Sequence, residues 1–444
     1  MQTTVNDYNS TDRALEMAID IYFDGLGNAP FRCKRNDHLI SCTVLDEACS
    51  NGDTFIGTPS SNECSFTLLG ENGLFNPTNT DSPLYGKIKT GLIVKAFIRP
   101  IDINEEVTYD WDPLGVFYIT DWTTDITGVS ASVVANDLLY TLFNSNKTKL
   151  EVISNCTYND LFNLFCSYNR VQYSVKGSLA NQLLYGYIVD NNSEFIKAFS
   201  IGSLSYIYCE HDGSLCVNNI DRQRSVDYTL TDSDQVISIS TKQSATLNYD
   251  GVSLTYVVPY ISDIVEVITN KEQSIGTNGI NVYTNQEFSK KPLLALTYTD
   301  IEGNVECDMT IEASNALDIS YSVKNNSAFD GTFKLSIFGN ILEDTKFTID
   351  DEGTSLLKLE NKYIQDATYA ERFSALLRKY IRLRVPKLEL EVRGNPKYSL
   401  GDKLRVLSDM YSIDFTGILI KQQFKYDGGL KASMTLLNSE VLGD

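Results

Sequence analysis

The sequence predicts a mainly β protein with a smaller α+β part. The chain has 26 Tyr and 20 Phe among its 444 residues, with frequent Thr, Val and Ile, and these residue types favour strands. Short apolar runs alternate with polar residues and end at Gly, Pro or Asn, as strands and turns do. Because an ordinary domain has about 100–200 residues, about two to four domains are expected.

The first part of the chain predicts an arm followed by strands. Residues 1–16 are polar and predict a flexible arm. Ile19, Ile21 and Phe23 then alternate with polar residues, and the stretches 92–98 and 116–120 are further strand-like runs. A turn-rich stretch with Gly, Asn and Pro lies between them and indicates an ordered loop.

The middle of the chain changes character. Thr157 followed by Asp160 has the form of a helix start, and apolar residues at helical spacing follow it. Further on, Asp212-Gly213 joins two strand-like runs, and Asp-Gly in that position is a strong hairpin signal. This stretch therefore predicts a small α+β unit.

The C-terminal stretch has the most regular pattern. Apolar residues recur every three or four positions from Tyr363 to Ile381, which predicts an amphipathic helix that packs on a sheet. Strict alternation follows at 388–392 and again at 430–436, where Asp427-Gly428-Gly429 supplies the turn. Four strands with tight turns favour a small barrel or sandwich.

The charge and the cysteines exclude several kinds of protein. A formal net charge of −21 is the wrong sign for a nucleic-acid groove or an anionic membrane surface. It fits either a soluble acidic surface or a surface that DNA slides past without binding. Nine cysteines without a C-x-x-C, and only His38 and His211, do not form a zinc pattern. They indicate buried free thiols in a reducing cytoplasm. The longest apolar runs are too short to cross a bilayer.

Two stretches come nearest to a catalytic pattern. Cys209-Glu210-His211 holds a thiol and an imidazole, but it lies in the predicted hairpin, where we expect the two side chains to diverge. Tyr109-Asp110-Trp111-Asp112 places carboxylates beside aromatic rings, as a glycosidase would, yet a polar loop with an anchored Trp explains it as well. We therefore predict no catalytic, cofactor or metal site.

Several short motifs, in their order along the chain, resemble those of bacteriophage tail hub proteins. That family includes the hub of contractile baseplates and the hub region of siphophage tail-associated proteins. The motif positions are Phe75, Asn76, Pro77, Ser82, Pro83, Tyr85, Gly86, Asp137, Asp212, Gly213, Arg393, Gly394, Pro396, Gly401, Asp402, Gly428 and Gly429. The stretch 265–355 resembles nothing in the family.

The resemblance implies two tube-like β-barrels with inserted domains. The expected division is a flexible arm (1–16), an N-terminal hub barrel (17–128), an α+β middle domain (129–224), a discontinuous second barrel (225–264 and 356–444) and an inserted β-rich domain (265–355). Such hubs form rings, usually trimers and in some cases hexameric, that join the tail tube to other tail-tip proteins. Viral DNA passes through the ring without specific binding.

The resemblance also implies a structural virion protein, made in the host bacterial cytoplasm and not inserted in a membrane. Three alternatives stay open at this point. The chain could be a tail adhesin that binds a host glycan or protein, through 265–355 or the 109–112 cluster. It could be the knob of a short-tailed phage. A cell-wall hydrolase is disfavoured, because relatives carry that enzyme after the hub region and this chain ends at Asp444, after the closing strands.

Overall fold

The structure is a computed structural model of the whole chain. It describes residues 2–9, 13–35, 37–50, 55–56, 58–102, 108–125, 128–145, 152–179, 182–188, 191–220, 225–232, 236–241, 249–383 and 386–442.

The described residues form mostly strands, with five α-helices and two short 3-10 helices. The strands are β1 Ala14–Tyr22, β2 Phe31–Lys34, β3 Leu39–Glu47, β4 Glu63–Leu69, β5 Ile93–Ile101, β6 Asp112–Thr124, β7 Ser130–Asn136, β8 Val152–Thr157, β9 Tyr173–Lys176, β10 Gln182–Tyr187, β11 Ser205–Cys209, β12 Leu215–Asn219, β13 Tyr228–Thr231, β14 Val236–Thr241, β15 Gly251–Thr269, β16 Gln273–Ile275, β17 Ile280–Glu287, β18 Leu293–Gly303, β19 Cys307–Ser314, β20 Asp318–Asn325, β21 Gly331–Asp350, β22 Leu356–Asn361, β23 Lys387–Val392, β24 Lys403–Ser408, β25 Ile413–Tyr426 and β26 Leu430–Asn438. The helices are α1 Val5–Asn9, α2 Leu138–Phe143, α3 Tyr158–Asn169, α4 Asn192–Gly202 and α5 Ala367–Ile381, and the 3-10 helices span Glu71–Gly73 and Ser439–Leu442.

One sheet of thirteen strands, called the large sheet here, forms the framework. Its main path runs β14-β23-β26-β25-β3-β4-β7-β6-β5-β1-β2, and β24 and β13 extend it beside β25. Antiparallel pairing of β25 with β3, from Lys421 opposite Glu47 to Tyr426 opposite Cys42, joins the N-terminal and C-terminal halves. Strands from both predicted barrels, β1–β6 from the first and β13, β14 and β23–β26 from the second, are thus parts of one sheet.

The same two halves share one core. Phe66 and Phe117 from the first half lie in the same buried cluster as Leu390 and Met434 from the second. These side chains alternate along their strands with polar residues, so each strand turns one face to the core. The hydrophobic burial that stabilises the sheet therefore depends on both ends of the chain.

The middle of the chain forms an α+β unit, as the sequence predicts. Helix α3 starts with a complete capping box, in which Thr157 and Asp160 bond each other's backbone N–H. Helices α3 and α4 bury Phe162, Phe165 and Phe199 against two small sheets. One sheet pairs β8 with β10, and the other contains β9, β11 and β12. The Asp212-Gly213 turn joins β11 to β12, so the predicted hairpin is confirmed.

A long antiparallel pair of strands, called the ribbon here, lies at the centre of a separate five-stranded sheet. Strands β15 and β21 pair antiparallel from Ser253 opposite Asp350 to Thr269 opposite Ser336. Helix α5 packs its apolar stripe, including Phe373 and Leu377, near the start of β15. At the far end the ribbon faces a second sheet, order β17-β20-β19, over a small separate core. Residues 249–361 are called the inserted region below.

The first residues of the chain differ from the prediction of a flexible arm. Residues 5–9 form helix α1, and Tyr8 is fully buried with its hydroxyl 2.6 Å from Asp112 Oδ2. Asn395 donates through Nδ2 to the Val5 carbonyl at 3.1 Å. A polar sequence gave no sign of this docking, because a single buried aromatic side chain and distant partners supply it.

The fold class is confirmed as mainly β with a smaller α+β part. The exact domain boundaries stay a prediction. The structure places β7 (130–136) in the large sheet, and it places β15, which includes residues 251–264, in the ribbon with β21 and β22.

Candidate functional site

The first motif forms a folded loop between β4 and β5. Phe75 is fully buried and packs against Phe31, His38 and Trp122, with ring centroids 5.3–6.3 Å away. Its carbonyl accepts a hydrogen bond of 3.0 Å from Trp122 Nε1. This motif residue therefore anchors the loop to the core of the large sheet.

The rest of this loop separates into inner and outer residues. Asn76 Oδ1 accepts from the Thr78 backbone N–H at 3.0 Å and closes the turn that contains Pro77. Ser82 is buried and donates to the Leu74 carbonyl at 2.6 Å. Pro83, Tyr85 and Gly86, the last with φ +75°, are exposed. The outer residues have no structural task in the described chain that explains their side chains.

Asp137 joins the large sheet to the α+β unit. It is buried, caps helix α2 by accepting from the Leu139 N–H at 3.0 Å, and accepts from the Asn62 N–H at 2.9 Å. Asn62 in turn donates to the Cys209 carbonyl at 3.2 Å. Burial raises the pKa of the Asp137 carboxyl to about 7, although these N–H donors act in the opposite direction.

The hairpin turn at Asp212-Gly213 rests on the large sheet. Asp212 Oδ1 accepts from the Ser214 N–H at 2.8 Å, which shapes the turn. Gly213 has φ +90°, and a Cβ there would lie 2.9 Å from Cβ of Val116 on β6. Only glycine fits both the left-handed backbone and the close contact.

Beside this turn, an ion pair crosses the same junction. His211 Nε2 lies 3.1 Å from Oδ2 of Asp46, a buried carboxylate on β3 that also accepts from Gln422 Nε2 at 3.1 Å. Burial acts to lower the pKa of His211, but the Asp46 carboxylate outweighs it and leaves the pKa raised. Asp46 and Gln422 are not part of any sequence motif. They were missed in the sequence analysis because their contact joins strands that are far apart in sequence.

The C-terminal motifs hold the turns after β23 and before β24. Gly394 has φ +87°, and its carbonyl accepts from Arg13 Nη1 at 2.7 Å, while Arg393 contributes its own carbonyl to Arg13. Pro396 is buried beside the fully buried Asn395. The prediction missed Asn395, which ties this turn to α1.

Gly401 and Asp402 close the next turn. Gly401 has φ +82°, and a Cβ there would lie 2.0 Å from Asn218 Nδ2 of the α+β unit. Asp402 Oδ2 accepts from the Ser399 N–H at 2.8 Å. In the last turn, the Gly428 carbonyl accepts from Arg35 Nη1 at 2.6 Å, and Gly429 follows it. The motif positions thus lie mostly at turns and junctions; that they mark a family stays a proposal.

The thiol and imidazole of the 209–211 stretch are held by different partners. His211 faces Asp46, whereas Cys209 is buried beside Asp137, and burial raises the pKa of its thiol far above the ordinary value. A protonated thiol is a poor nucleophile. The Cys209 and His211 side chains do diverge, but strand alternation is not the reason, because residues two apart on a strand share a face. Strand β11 ends at Cys209, and the turn that follows redirects His211.

The second catalytic candidate is also committed to structural contacts. Asp112 bonds Lys397 Nζ at 2.8 Å and the Tyr8 hydroxyl at 2.6 Å. The Trp111 ring has the Arg99 guanidinium 4.4 Å from its centroid and the Arg32 guanidinium at 5.4 Å. Asp112 and the Trp111 ring thus have structural partners within the chain.

Within the residues that the structure describes, no group of three or more His, Cys, Asp or Glu side chains could hold a metal ion. No helix there is long and apolar enough to cross a membrane. All nine cysteines are free thiols, and eight of them are buried.

The polar face of the large sheet carries nearly balanced charge. On its main path, counting residues 421–426 of β25, eight basic and seven acidic side chains alternate with the core residues. Arg32–Asp20 at 2.6 Å, Arg99–Glu16 at 2.7 Å and Lys421–Glu47 at 2.8 Å pair six of them. The basic set is Arg32, Lys34, Lys95, Arg99, Lys387, Lys421, Lys425 and Lys431; the acidic set is Glu16, Asp20, Glu47, Glu63, Asp121, Glu389 and Glu391.

Comparison with solved structures identifies the fold. The chain is similar to the 43 kDa tail protein of prophage MuSo2 from Shewanella oneidensis, with a TM-score of 0.55, 10% identity and coverage of 96% of this chain and 99% of that one. It has a phage tail protein fold. A tail protein from Neisseria meningitidis MC58 gives a TM-score of 0.52, 11% identity and coverage of 97% and 98%.

The likeness expected from the sequence is thus confirmed at the level of a phage tail protein fold. Neither a protein-family model nor a curated protein sequence matches the chain. At 10–11% identity the similarity lies in the backbone arrangement and not in the side chains. Whether the short motifs mark the family stays a prediction.

Proposed function

We propose that the protein is a ring-forming hub of a bacteriophage tail tip. In this role it joins the tail tube to other tail-tip proteins and lines the channel through which DNA leaves. It is a non-enzymatic structural part of the virion, made in the host bacterial cytoplasm. The near-complete coverage of two tail proteins by the same fold supports a tail role.

The observation that carries the ring is the large sheet, whose main path has an unpaired strand edge at each end. Among the described strands, β2 pairs only with β1, β14 pairs only with β23, and on the side branch β13 pairs only with β24. Unpaired strand edges are templates for pairing with another chain. A ring of copies would give both ends a neighbour and would continue the sheet around a central channel.

The polar face of the large sheet suits passage of DNA without specific binding. Basic side chains in excess would hold the phosphates, and a strong acidic excess would repel them. With eight basic and seven acidic side chains, this face does neither. The charge of −21 must therefore come mainly from other surfaces.

Light scattering coupled to size exclusion tests the ring. The account predicts a mass about three times the 49.7 kDa of one chain, or six times for a hexameric ring. A protein that stays monomeric over a wide concentration range, also when the tail tube protein of the same particle is added, would contradict it.

A second function, contact with the host surface, is favoured by exposed apolar side chains in the inserted region. Tyr298 on β18 is 51% exposed and stacks on Phe338 of β21 with ring centroids 4.5 Å apart, and Ile264 is 48% exposed on β15, which pairs with the other edge of β21. Exposed aromatic patches commonly mark binding sites. Binding of host glycans that is lost in Tyr298→Ala would support an adhesin role; equal binding by both proteins would contradict it.

A further inference from the structure

A cleft of about 550 Å³ opens at one rim of the large sheet, where β1 begins and β25 ends. Three arginines, Arg13, Arg35 and Arg393, line it, together with the Gly428-Gly429 turn. We call it the arginine cleft. It combines residues from both halves of the chain and includes motif positions that no structural contact fully explains.

Among the described residues, Glu16 is the one acidic residue in the lining of the arginine cleft. It is already bridged to Arg99 at 2.7 Å and to Lys34 at 3.7 Å. Within the described part of the chain, the three guanidinium groups thus face a carboxylate that has two other cationic partners. In a chain with net charge −21 such a local positive excess is unusual.

Arg13 fixes the base of the arginine cleft through neutral partners. Its guanidinium donates to the carbonyls of Tyr8, Arg393 and Gly394, the last at 2.7 Å. Burial, and then the nearby Arg393 charge, lower the pKa of Arg13 to about 10. Both effects disfavour the charged form of Arg13, and an incoming anion would stabilise that form.

The other two arginines keep donors for a ligand. Arg35 is exposed and uses Nη1 for the Gly428 carbonyl. The half-buried Arg393 guanidinium has no hydrogen bond or ion pair within the part of the chain that the structure describes. A guanidinium has five N–H donors in a planar fork that matches a carboxylate or phosphate in two parallel hydrogen bonds.

We propose that the arginine cleft binds carboxylate side chains of a second copy of this chain. The inference rests on the proposed ring. Copies with a charge of −21 repel one another, so a ring needs local contacts of opposite charge. Residues 249–361 alone contain 18 acidic and seven basic residues, a net charge of −11, and so supply abundant carboxylates.

A protein carboxylate fits the observations better than a DNA phosphate. A DNA-binding groove follows the backbone with many cations. Here the three arginines form one compact group, and the adjoining polar face of the large sheet is nearly neutral. Such a site matches one or two acidic side chains.

The test compares two double variants of the full chain. Arg35→Gln with Arg393→Gln removes two charges from the arginine cleft and leaves Arg13, which holds the N-terminal turn. The control, Arg372→Gln with Arg405→Gln, removes two arginines that lie outside the cleft, one exposed and one half-buried and paired with Asp414. Circular dichroism and thermal melting verify that both variants fold, and sedimentation velocity at increasing NaCl measures assembly.

We expect the dissociation constant of the assembly to rise about tenfold or more in the cleft variant and to change less than about threefold in the control. Wild-type assembly should also weaken as salt is added. Normal assembly of the cleft variant would overturn the inference and leave the ring standing. A monomeric wild type would overturn both.

A fluorescence-anisotropy titration with a short DNA duplex tests whether the arginine cleft binds DNA phosphate instead of a protein carboxylate. No binding by wild type is the expected result. Binding that is lost in the cleft variant, while assembly stays unchanged, would assign the cleft to phosphate and overturn the inference.

Discussion

The large sheet and the inserted region differ in the charge balance and the apolar exposure of their surfaces. On the large sheet, basic and acidic side chains are nearly equal in number, and several are paired at 2.6–2.8 Å. The inserted region has a net charge of −11 and leaves Tyr298 and Ile264 half exposed. The large sheet is thus a self-sufficient framework, whereas the inserted region presents charge and apolar area to the outside.

The far part of the inserted region has a core of its own, distinct from that of the large sheet, and this gives the largest expected effect. Phe333→Ala removes a fully buried ring from the small core of the inserted region, at a cost of about 3–5 kcal/mol. We expect that region to unfold first, so that calorimetry shows two transitions. Phe66→Ala, in the core of the large sheet, should instead lower the main transition. Equal loss in a single transition for both variants would contradict separate cores.

The junction of the large sheet with the α+β unit predicts a pH dependence. Burial raises the pKa of Asp137 from its ordinary value of 3.8 to about 7. Protonation of this carboxyl therefore makes its full contribution to the free energy of unfolding below pH 3.8, and this contribution is lost as pH rises through 7. The raised pKa of His211 has the same sign: its contribution is full below 6.5 and is lost as pH rises through the raised value. Chemical denaturation should show lower stability at pH 8 than at pH 6.

Asp137→Asn tests the source of this pH dependence. The variant should flatten the slope between pH 6 and 8. It should also lose about 1–3 kcal/mol at pH 6, because an amide nitrogen cannot accept from the N–H of Asn62. Asp121→Asn, at an exposed position on β6, is the control and should keep the wild-type slope. An unchanged slope in Asp137→Asn would place the effect elsewhere.

A motif glycine at the same junction should be sensitive to one methyl group. Gly401→Ala places a Cβ against Asn218 at a φ of +82°, so we expect a loss of roughly 1–3 kcal/mol in urea unfolding. Gly27→Ala is the matched control, since no atom lies within 4 Å of its Cβ, and it should be nearly neutral. A neutral Gly401→Ala would show that the turn can relax.

The smallest effect on stability is expected at the exposed patch of the inserted region. Ile264→Ser combined with Tyr298→Ser should change the free energy of unfolding by less than about 0.5 kcal/mol each, because both side chains are about half exposed. Self-association or surface binding should change if the patch is a contact site. A large loss of stability would show that these side chains support the inserted core.

Local patterns predicted the elements whose signals lie within a few residues. The alternation in β23 and β26, the Asp212-Gly213 hairpin, the capping box of α3 and the stripe of α5 all appear in the structure. Each signal is set by side-chain periodicity or by a turn that a short stretch specifies on its own. The fold class followed from them.

Contacts between distant parts of the chain could not be predicted in this way. The pairing of β15 with β21, the docking of Tyr8 and the contact of His211 with Asp46 join residues 67 to 165 positions apart. The sequence around one residue of such a pair contains no signal that identifies the other. The motif glycines were predicted as turn residues, but their close contacts with Val116 and Asn218 needed the tertiary structure.

Electron-microscopic imaging of the purified full-length protein tests the central claim most directly. The ring account predicts class averages with threefold or sixfold symmetry and a central hole, in which the large sheets of neighbouring copies surround the channel. Compact particles without a hole, seen both for the protein alone and with its tail tube protein, would contradict the account and would favour a role based on the inserted region.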